Sequence, residues 1–263
     1  MAFRFWQDLT SPDFGALDGG RTVAVLPLCA TEQHGPHLPT GTDTMIAQGL
    51  TGEVARRFDG DFDLLFLPRL AIGASQEHAR FAGTISISTP ALIERISTIG
   101  AQVAASGLKK LIIVSSHGGN IAAMSAGALA CRQNHDLLAV TLTWSRLGLP
   151  DGLVDADERA HGIHGGFVET SLMLHFRPDL VRMDEAADFA SLQSDLAARY
   201  RHLRAYGPVG FGWLAGDLNA SGALGNAASA NAAAGRDISA HQAEAFIALA
   251  GEVSQFDLAG AFS

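Results

Sequence analysis

The chain has 263 residues, of which 48% are hydrophobic and only 17% charged, and its formal net charge is −9. That length suits a single α/β domain over residues 1–263. An acidic chain with no long Lys/Arg cluster excludes nucleic acid and anionic membrane surfaces as partners, and so few charges predict surface hidden in a homo-oligomer.

Cys29 and Cys131 stand far apart, with no Cys-x-x-Cys. A zinc ribbon is excluded, and two reduced, buried thiols are expected. The start, Met1-Ala2-Phe3-Arg4-Phe5-Trp6-Gln7-Asp8, has no apolar h-region, and no run of about eighteen apolar residues follows. The expectation is a soluble cytoplasmic protein.

Ser11-Pro12 opens a short helix, with proline at a tolerated first-turn position. Residues 21–29, rich in Val and Leu, predict a buried parallel strand. Pro27 marks where regular pairing ends. Residues 42–58 carry helical spacing through Met45, Ile46, Leu50 and Val54. Residues 62–67 predict a second strand, and 71–82 a loop that holds Glu77 and His78. Thr89-Pro90 begins a helix running to about residue 106. Residues 109–115 are the clearest strand, with Leu111-Ile112-Ile113-Val114 at its centre. His117-Gly118-Gly119-Asn120 breaks it, and a helix follows to about residue 134. Residues 137–144 predict a fourth strand, 145–163 a polar loop and 166–176 a helix. Residues 192–203 predict another helix. Residues 219–235, rich in Ala, Gly, Asn and Ser, read as a loop leading into a last helix near 229–254. Strands alternating with helices imply parallel β-α units, hence a layered α/β/α fold with a mostly parallel central sheet.

Three polar clusters follow predicted strands, at the edge where open α/β sheets bind ligands. The first is Thr31-Glu32-Gln33-His34-Gly35-Pro36-His37-Leu38-Pro39-Thr40-Gly41-Thr42-Asp43; the second is His117-Gly118-Gly119-Asn120; the third runs from His161 to Glu169. In an extended segment, Glu32 and His34 face one side, roughly 7 Å apart. Paired hydrolytic metal ions sit about 3.5–4 Å apart. Glu32 can therefore reach one ion and His34 its neighbour, with Asp43 placed to bridge. The carboxylates of Glu32, Asp43 and Glu169, with neutral His34 and His117, leave two divalent ions a net charge of about +1, enough to stabilise one bridging hydroxide. Carboxylate and imidazole donors without thiolate suit Zn²⁺ or Mn²⁺. Taken singly, Asp43 is also readable as a helix N-cap, His117 as a turn residue and Glu169 as a solvated helix position. Gly-x-Ser-x-Gly, the P-loop and His-Glu-x-x-His are absent.

These motifs resemble the creatininase (creatinine amidohydrolase) family. The resemblance rests on Glu32-Gln33-His34-Gly35-Pro36-His37-Leu38-Pro39 with Gly41-Thr42-Asp43, and on His117-Gly118-Gly119-Asn120. His164-Gly165-Gly166 with Glu169-Thr170-Ser171, Glu77-His78 with Phe81-Ala82-Gly83-Thr84, and Ser221-Gly222 with Gly225 and Gly235 extend it over about residues 20–240. It implies a creatininase-like fold, hydrolysis of an amide-type C–N bond at two divalent ions, and oligomers, commonly hexamers. The ions would be Zn²⁺ first, with Mn²⁺ or Fe²⁺ as alternatives. By matching position, one ion would take Glu32, Asp43 and His117, the other His34, Asp43 and Glu169. His164 would be the catalytic proton carrier, beside Glu169. His37 becomes a residue of the pocket or of the ligands' surroundings. Creatinine hydrolases carry a glutamate where Gly119 stands, which points the substrate away from creatinine and makes Glu169 the candidate for the missing carboxylate. Branches with His-Gly-Gly-Asn include a formamide hydrolase and the peptidase that trims the mycofactocin precursor. Trp144 would either cover a flat substrate or pack in the core. The expected substrate is a small amide or a short peptide. A metal-bound scaffold without activity is the reading from another class.

Overall fold

The computed structural model describes residues 2–257 and 260. Five strands, β1 (Phe3–Phe5), β2 (Val23–Leu28), β3 (Leu64–Phe66), β4 (Lys110–Ser115) and β5 (Leu138–Thr143), pair in parallel in the order β1-β3-β2-β4-β5. A two-stranded antiparallel pair, β6 (Asp188–Phe189) with β7 (Gly225–Asn226), lies apart from this sheet. The helices are α1 (Ser11–Phe14), α2 (Thr42–Arg57), α3 (Thr89–Ala105), α4 (Ile121–His135), α5 (Ala156–His161), α6 (Phe167–Phe176), α7 (Leu192–Arg199), α8 (Ala215–Leu218) and α9 (Ala232–Gln255).

The period-two alternation of the central strands sorts the layers. Val23, Val25, Ile112 and Val114 pack with Ile46, Leu50 and Val54 of α2, Leu172 of α6, and Ile238 and Phe246 of α9. Ala24, Leu26, Leu111 and Ile113 face the other way, against Leu92 and Ile96 of α3 and Met124 and Cys131 of α4. Both faces are covered, which explains why β2 and β4 read as unbroken apolar runs. Cutting Ile112 back to Ala in so closed a layer would cost about 2–5 kcal/mol. Both cysteines are buried and free, as expected, and burial pushes the Cys29 thiol up to about 12.

Four differences from the sequence reading have physical reasons. β1 is a fifth strand, three residues long, too short to show alternation. The β2 ladder with β3 stops at Val25↔Phe66, before Pro27, but an isolated bridge Leu28↔Leu70 follows on that side, and pairing with β4 continues through Leu28↔Ser115. The Pro27 carbonyl accepts from Leu70 N–H at 3.0 Å on the β3 side, and the nitrogen without a hydrogen faces that same side, so the β4 ladder loses nothing. The polar loop 145–163 contains α5, capped by Asp155, which accepts from the Glu158 N–H at 2.8 Å. The helix expected over 192–203 stops at Arg199. Among the described residues no helix is long and apolar enough to cross a membrane.

Chain direction changes beside β2. The connection leaving β2 runs through α2 to β3 on one side, whereas that leaving β4 runs through α4 to β5 on the other. Adjacent strands whose exits diverge leave a crevice at their carboxyl ends, the usual ligand position in open α/β sheets. The loops bearing Glu32, His34 and His117 emerge there.

Candidate metal centre

The loop after β2 folds back on itself. Glu32 N–H donates to the Thr40 carbonyl at 3.0 Å, and Gly35 turns the chain at φ +70°, a conformation other residues rarely adopt. Asn120 clasps the neighbouring segments. Its side chain donates to the Cys29 carbonyl and Ser115 Oγ, each at 3.1 Å, and accepts from Ala74 N–H at 2.9 Å. The ends of β2 and β4 and the loop at Ala74 are thereby tied together. Asp43 enters from the first turn of α2, and Glu169 from the first turn of α6.

Glu32, His34, Asp43 and His117 are all buried, at 0%, 0%, 1% and 5% exposure. His34 Nε2 lies 3.9 Å from Glu32 Oε1, 3.8 Å from Asp43 Oδ1 and 3.9 Å from Glu169 Oε2. His117 Nδ1 lies 3.0 Å from Glu32 Oε1 and 3.9 Å from Asp43 Oδ2. Glu32 Oε1, His34 Nε2 and both Asp43 oxygens are buried with no hydrogen-bond partner. Leaving four such atoms unpaired is expensive, and a shared cation satisfies them together. Donors each about 2.0–2.2 Å from one ion lie about 3–3.6 Å apart, close to the spacing found. The residues present therefore fit divalent ions. Two of the groups able to hold one are His34-Asp43-Glu169 and Glu32-Glu77-His117.

The remaining ring nitrogens are tied to acceptors. His34 Nδ1 donates to the Glu32 carbonyl at 3.0 Å, leaving Nε2 free for an ion. His117 Nε2 donates to the Ala74 carbonyl at 3.1 Å, leaving Nδ1 free. Outer hydrogen bonds of this kind orient metal-binding histidines.

Charge balance without metal follows from this crowding. Burial opposes charge on His34, but Asp43, Glu169 and Glu32 outweigh it and lift the ring to about 9. His117 is likewise raised, against burial, by Glu32, Glu77 and Asp43. Burial would raise Glu32, but His117, with help from His34, pulls it well below the usual carboxylate range. Burial, then Glu32, raises Asp43. Burial, with help from Asp43, raises Glu169 to about 7.

His164 and His78 complete the cluster. His164 Nε2 donates to the Gln33 carbonyl at 2.7 Å, so its Nδ1 lone pair faces Glu32 Oε1 at 3.6 Å. Burial, then His34 and His78, holds His164 well below its ordinary pKa, so the ring is neutral. Gln33 fixes His78 the opposite way round. Its amide nitrogen donates to the Gly222 carbonyl at 2.9 Å and to His78 Nδ1 at 2.7 Å, while its oxygen accepts from Gly35 N–H at 2.8 Å. With Nδ1 accepting, His78 carries its proton on Nε2, 3.6 Å from Glu32 Oε1. Ser75 donates to the other Glu32 oxygen.

The structure thus brings Glu32, His34, Asp43, His117, His164 and Glu169 to one place. His37 is not among them. It is buried against Thr170, with Nε2 2.9 Å from Oγ1, and stacks on Phe189 at 5.3 Å. Burial lowers it to about 4. The carboxylate beside Gly119 belongs to Glu77, while Glu169 stands against His34. Sequence reasoning left Glu77, His78, Ser75 and Gln33 without roles. Only the adjacency of Glu77 and His78 could have raised them, and no spacing rule linked that pair to a strand end. Trp144 takes the core position considered for it, at 3% exposure. It packs on Phe246 with ring centroids 5.0 Å apart and lines a cavity of about 380 Å³. Leu149, Arg159, Ile163, His164 and Glu169 line the same cavity.

Residues 7–250 match the creatininase family, described as creatinine amidohydrolase. A mycofactocin precursor peptide peptidase of Mycobacterium tuberculosis is 37% identical over 222 residues, covering 81% of this chain and 78% of that one. Its Mycolicibacterium smegmatis namesake is 38% identical over 166 residues, 62% of this chain and 61% of that protein's length. The creatinine amidohydrolase of Pseudomonas putida is 30% identical over 205 residues, covering 70% and 76%. A solved creatininase in a manganese form has the same fold, with a TM-score of 0.78 at 24% identity over 96% of this chain and 99% of its own.

Proposed function

This chain belongs to the creatininase family, and on that premise we propose that it is a dinuclear metal-dependent hydrolase that cleaves an amide C–N bond in a short peptide precursor. The set of buried, unpaired acceptors on Glu32, His34 and Asp43 carries the metal part of the reading. The peptide part is supported by the peptidase relatives at 37–38% identity against 30% for the creatinine amidohydrolase.

Glu32, Asp43 and His117 would hold one ion, and His34, Asp43 and Glu169 the other. With N and O donors and no thiolate, Zn²⁺ or Mn²⁺ suits the set. Such ions, when bound, supply Lewis acidity and a water that ionises near neutral pH. The chain's own residues do the rest. His164, neutral and with Nδ1 turned into the cluster, can take a proton from the attacking water and return it to the leaving amine. His78 presents Nε2–H to the same space and can donate to oxygen that gains charge as the carbonyl is attacked. Gln33 bonds to both rings and so holds the acceptor and the donor in opposite tautomers. Trp144 and Ile163 give the cavity apolar wall, and Arg159 offers it a cation. The sparse charge of the chain supports a homo-oligomer.

Metal analysis followed by assay of short peptides, formamides and creatinine tests this reading. Two ions per chain with peptide turnover is the expected result. Turnover of creatinine alone favours the second reading, hydrolysis of a small cyclic amide, which the Pseudomonas putida relative supports. Full metal occupancy with no turnover on the whole panel would leave a metal-bound scaffold.

A further inference from the structure

Position 119 has no side chain, and a carboxylate from another segment fills its space. A Cβ on Gly119 would collide with Glu77 Oε1 and His117 Nε2, and would stand 2.7 Å from the Ala74 carbonyl. Glu77 reaches that spot on the tight turn Gln76–His78. The turn follows Ala74, whose N–H is held by Asn120 at 2.9 Å. Its Oε1 lies 3.3 Å from His117 Nε2. Across the ring, His117 Nδ1 lies 3.0 Å from Glu32 Oε1, a fully buried oxygen with no hydrogen-bond partner. One imidazole thus spans two carboxylates. A ring that offers the Nδ1 lone pair to an ion keeps its hydrogen on Nε2. That hydrogen is donated to the Ala74 carbonyl at 3.1 Å, and Glu77 Oε1 stands 3.3 Å from the same nitrogen.

We propose that Glu77 is a positioning residue of the metal centre: standing where Gly119 leaves room, it accepts from His117 Nε2–H and fixes the ring so that Nδ1 faces the ion held with Glu32. The proposal rests on the metal-hydrolase reading above. A carboxylate behind a ligating histidine fixes the tautomer, orients the ring and makes it a stronger donor; losing one typically costs about 10–100-fold in metal affinity. Gly119 then matters for the room it gives Glu77, since any Cβ there displaces the carboxylate.

Zn²⁺ affinity of the full chain, measured in competition with a chromophoric chelator, tests this. Glu77→Ala should weaken one of the two sites about 10–100-fold. Glu77→Gln keeps a side-chain oxygen that can accept, retains the size of the residue and should lose less. Because Glu77 acts through His117, adding Glu77→Ala to His117→Ala should change affinity less than about 2-fold. In Zn²⁺-loaded protein, long-range ¹H–¹⁵N spectra should find the His117 hydrogen on Nε2. Unchanged affinity in Glu77→Ala overturns the proposal, and so does a full additive loss in the double variant, which would make Glu77 a ligand in its own right. A wild-type chain that binds no Zn²⁺ sinks the metal reading itself. Two ions bound equally by wild type and Glu77→Ala leave that reading standing and remove only the role of Glu77.

Discussion

The loop after β2 and the segment 145–163 both border the candidate centre, but they are held differently. In the first, Glu32, Gln33, His34, His37 and Asp43 are all buried, and nearly every polar atom not aimed at the cluster has a partner. In the second, Arg159 and the 38%-exposed Ile163 face the cavity or solvent, and the short helix α5 is pinned chiefly through Glu158, which accepts from Phe167 N–H at 2.7 Å and Asn226 N–H at 2.6 Å. A ligand set tolerates little displacement, so its loop is locked by side-chain to backbone bonds. A cavity wall needs only shape and charge, and can vary without disturbing the centre. On the proposed reading, the bond-breaking chemistry belongs to the first region and the choice of substrate to the second.

Asp43→Ala tests the locked region most severely. Asp43 is the one carboxylate proposed for both ions, and its two oxygens lie 3.8 Å from His34 Nε2 and 3.9 Å from His117 Nδ1. Metal content should fall from two ions to fewer than one, and kcat by about 10³-fold or more, the scale of losing a metal-activated nucleophile. A variant that still holds two ions removes Asp43 as the bridge.

His164→Asn should separate proton transfer from metal binding. Both ions should remain, while kcat falls by about 10²–10³-fold, the usual worth of a positioned acid–base group. Loss of an ion in this variant would instead make His164 a ligand, as its place in a Glu32-His34-His164 group allows.

Removing the ions should destabilise the fold, and more so as pH rises. Each ion present at about 100 times its Kd adds about 2.7 kcal/mol, so two add about 5.4 kcal/mol, which is about 10–20 °C in Tm at this chain length. In the metal-free chain, His34 is raised to about 9, so the stability it contributes is full below about 6.5 and is lost as pH climbs toward 9. Glu169, raised to about 7, acts in the same direction, because its buried carboxyl charges as pH increases. Metal binding meanwhile strengthens as protons leave the ligands. The Tm difference between loaded and stripped protein should therefore widen from pH 6 to pH 9. An equal Tm with and without chelator across that range would remove the centre from the fold's stability.

The same contrast explains what was legible in the sequence. β2, β4, α2, α4 and α9 are long and buried on regular faces, so periodicity exposed them. The proposed ligands Glu32, His34 and His117 follow strand ends, where an α/β sheet puts its site, and Asp43 closes the same loop at the start of α2. Glu77 and His78 reach the centre from a loop that follows no such strand end directly, and only the fold brings them beside His117 and Gln33. Pro27 misled by half, because a missing N–H harms one side of a strand and not the other. The role of Gly119 was invisible for a related reason: a residue with no side chain reveals nothing in sequence about which neighbour uses its space.

The smallest effect belongs to the cavity wall and tests whether substrate choice is separable. Among the described residues, Arg159 is the one Lys or Arg lining the cavity with His164 and Glu169. Arg159→Ala should raise KM about 10-fold for a peptide bearing a free carboxylate, with kcat within about 2-fold, because a contact made equally in ground and transition states affects binding alone. For the same peptide amidated at its C-terminus, wild type and variant should have equal KM. Metal content and the pH dependence of Tm should not move, since Arg159 touches none of the proposed ligands. A fall in kcat or in bound metal would mean that the wall and the centre are one unit, and the division of labour between the two regions would fail.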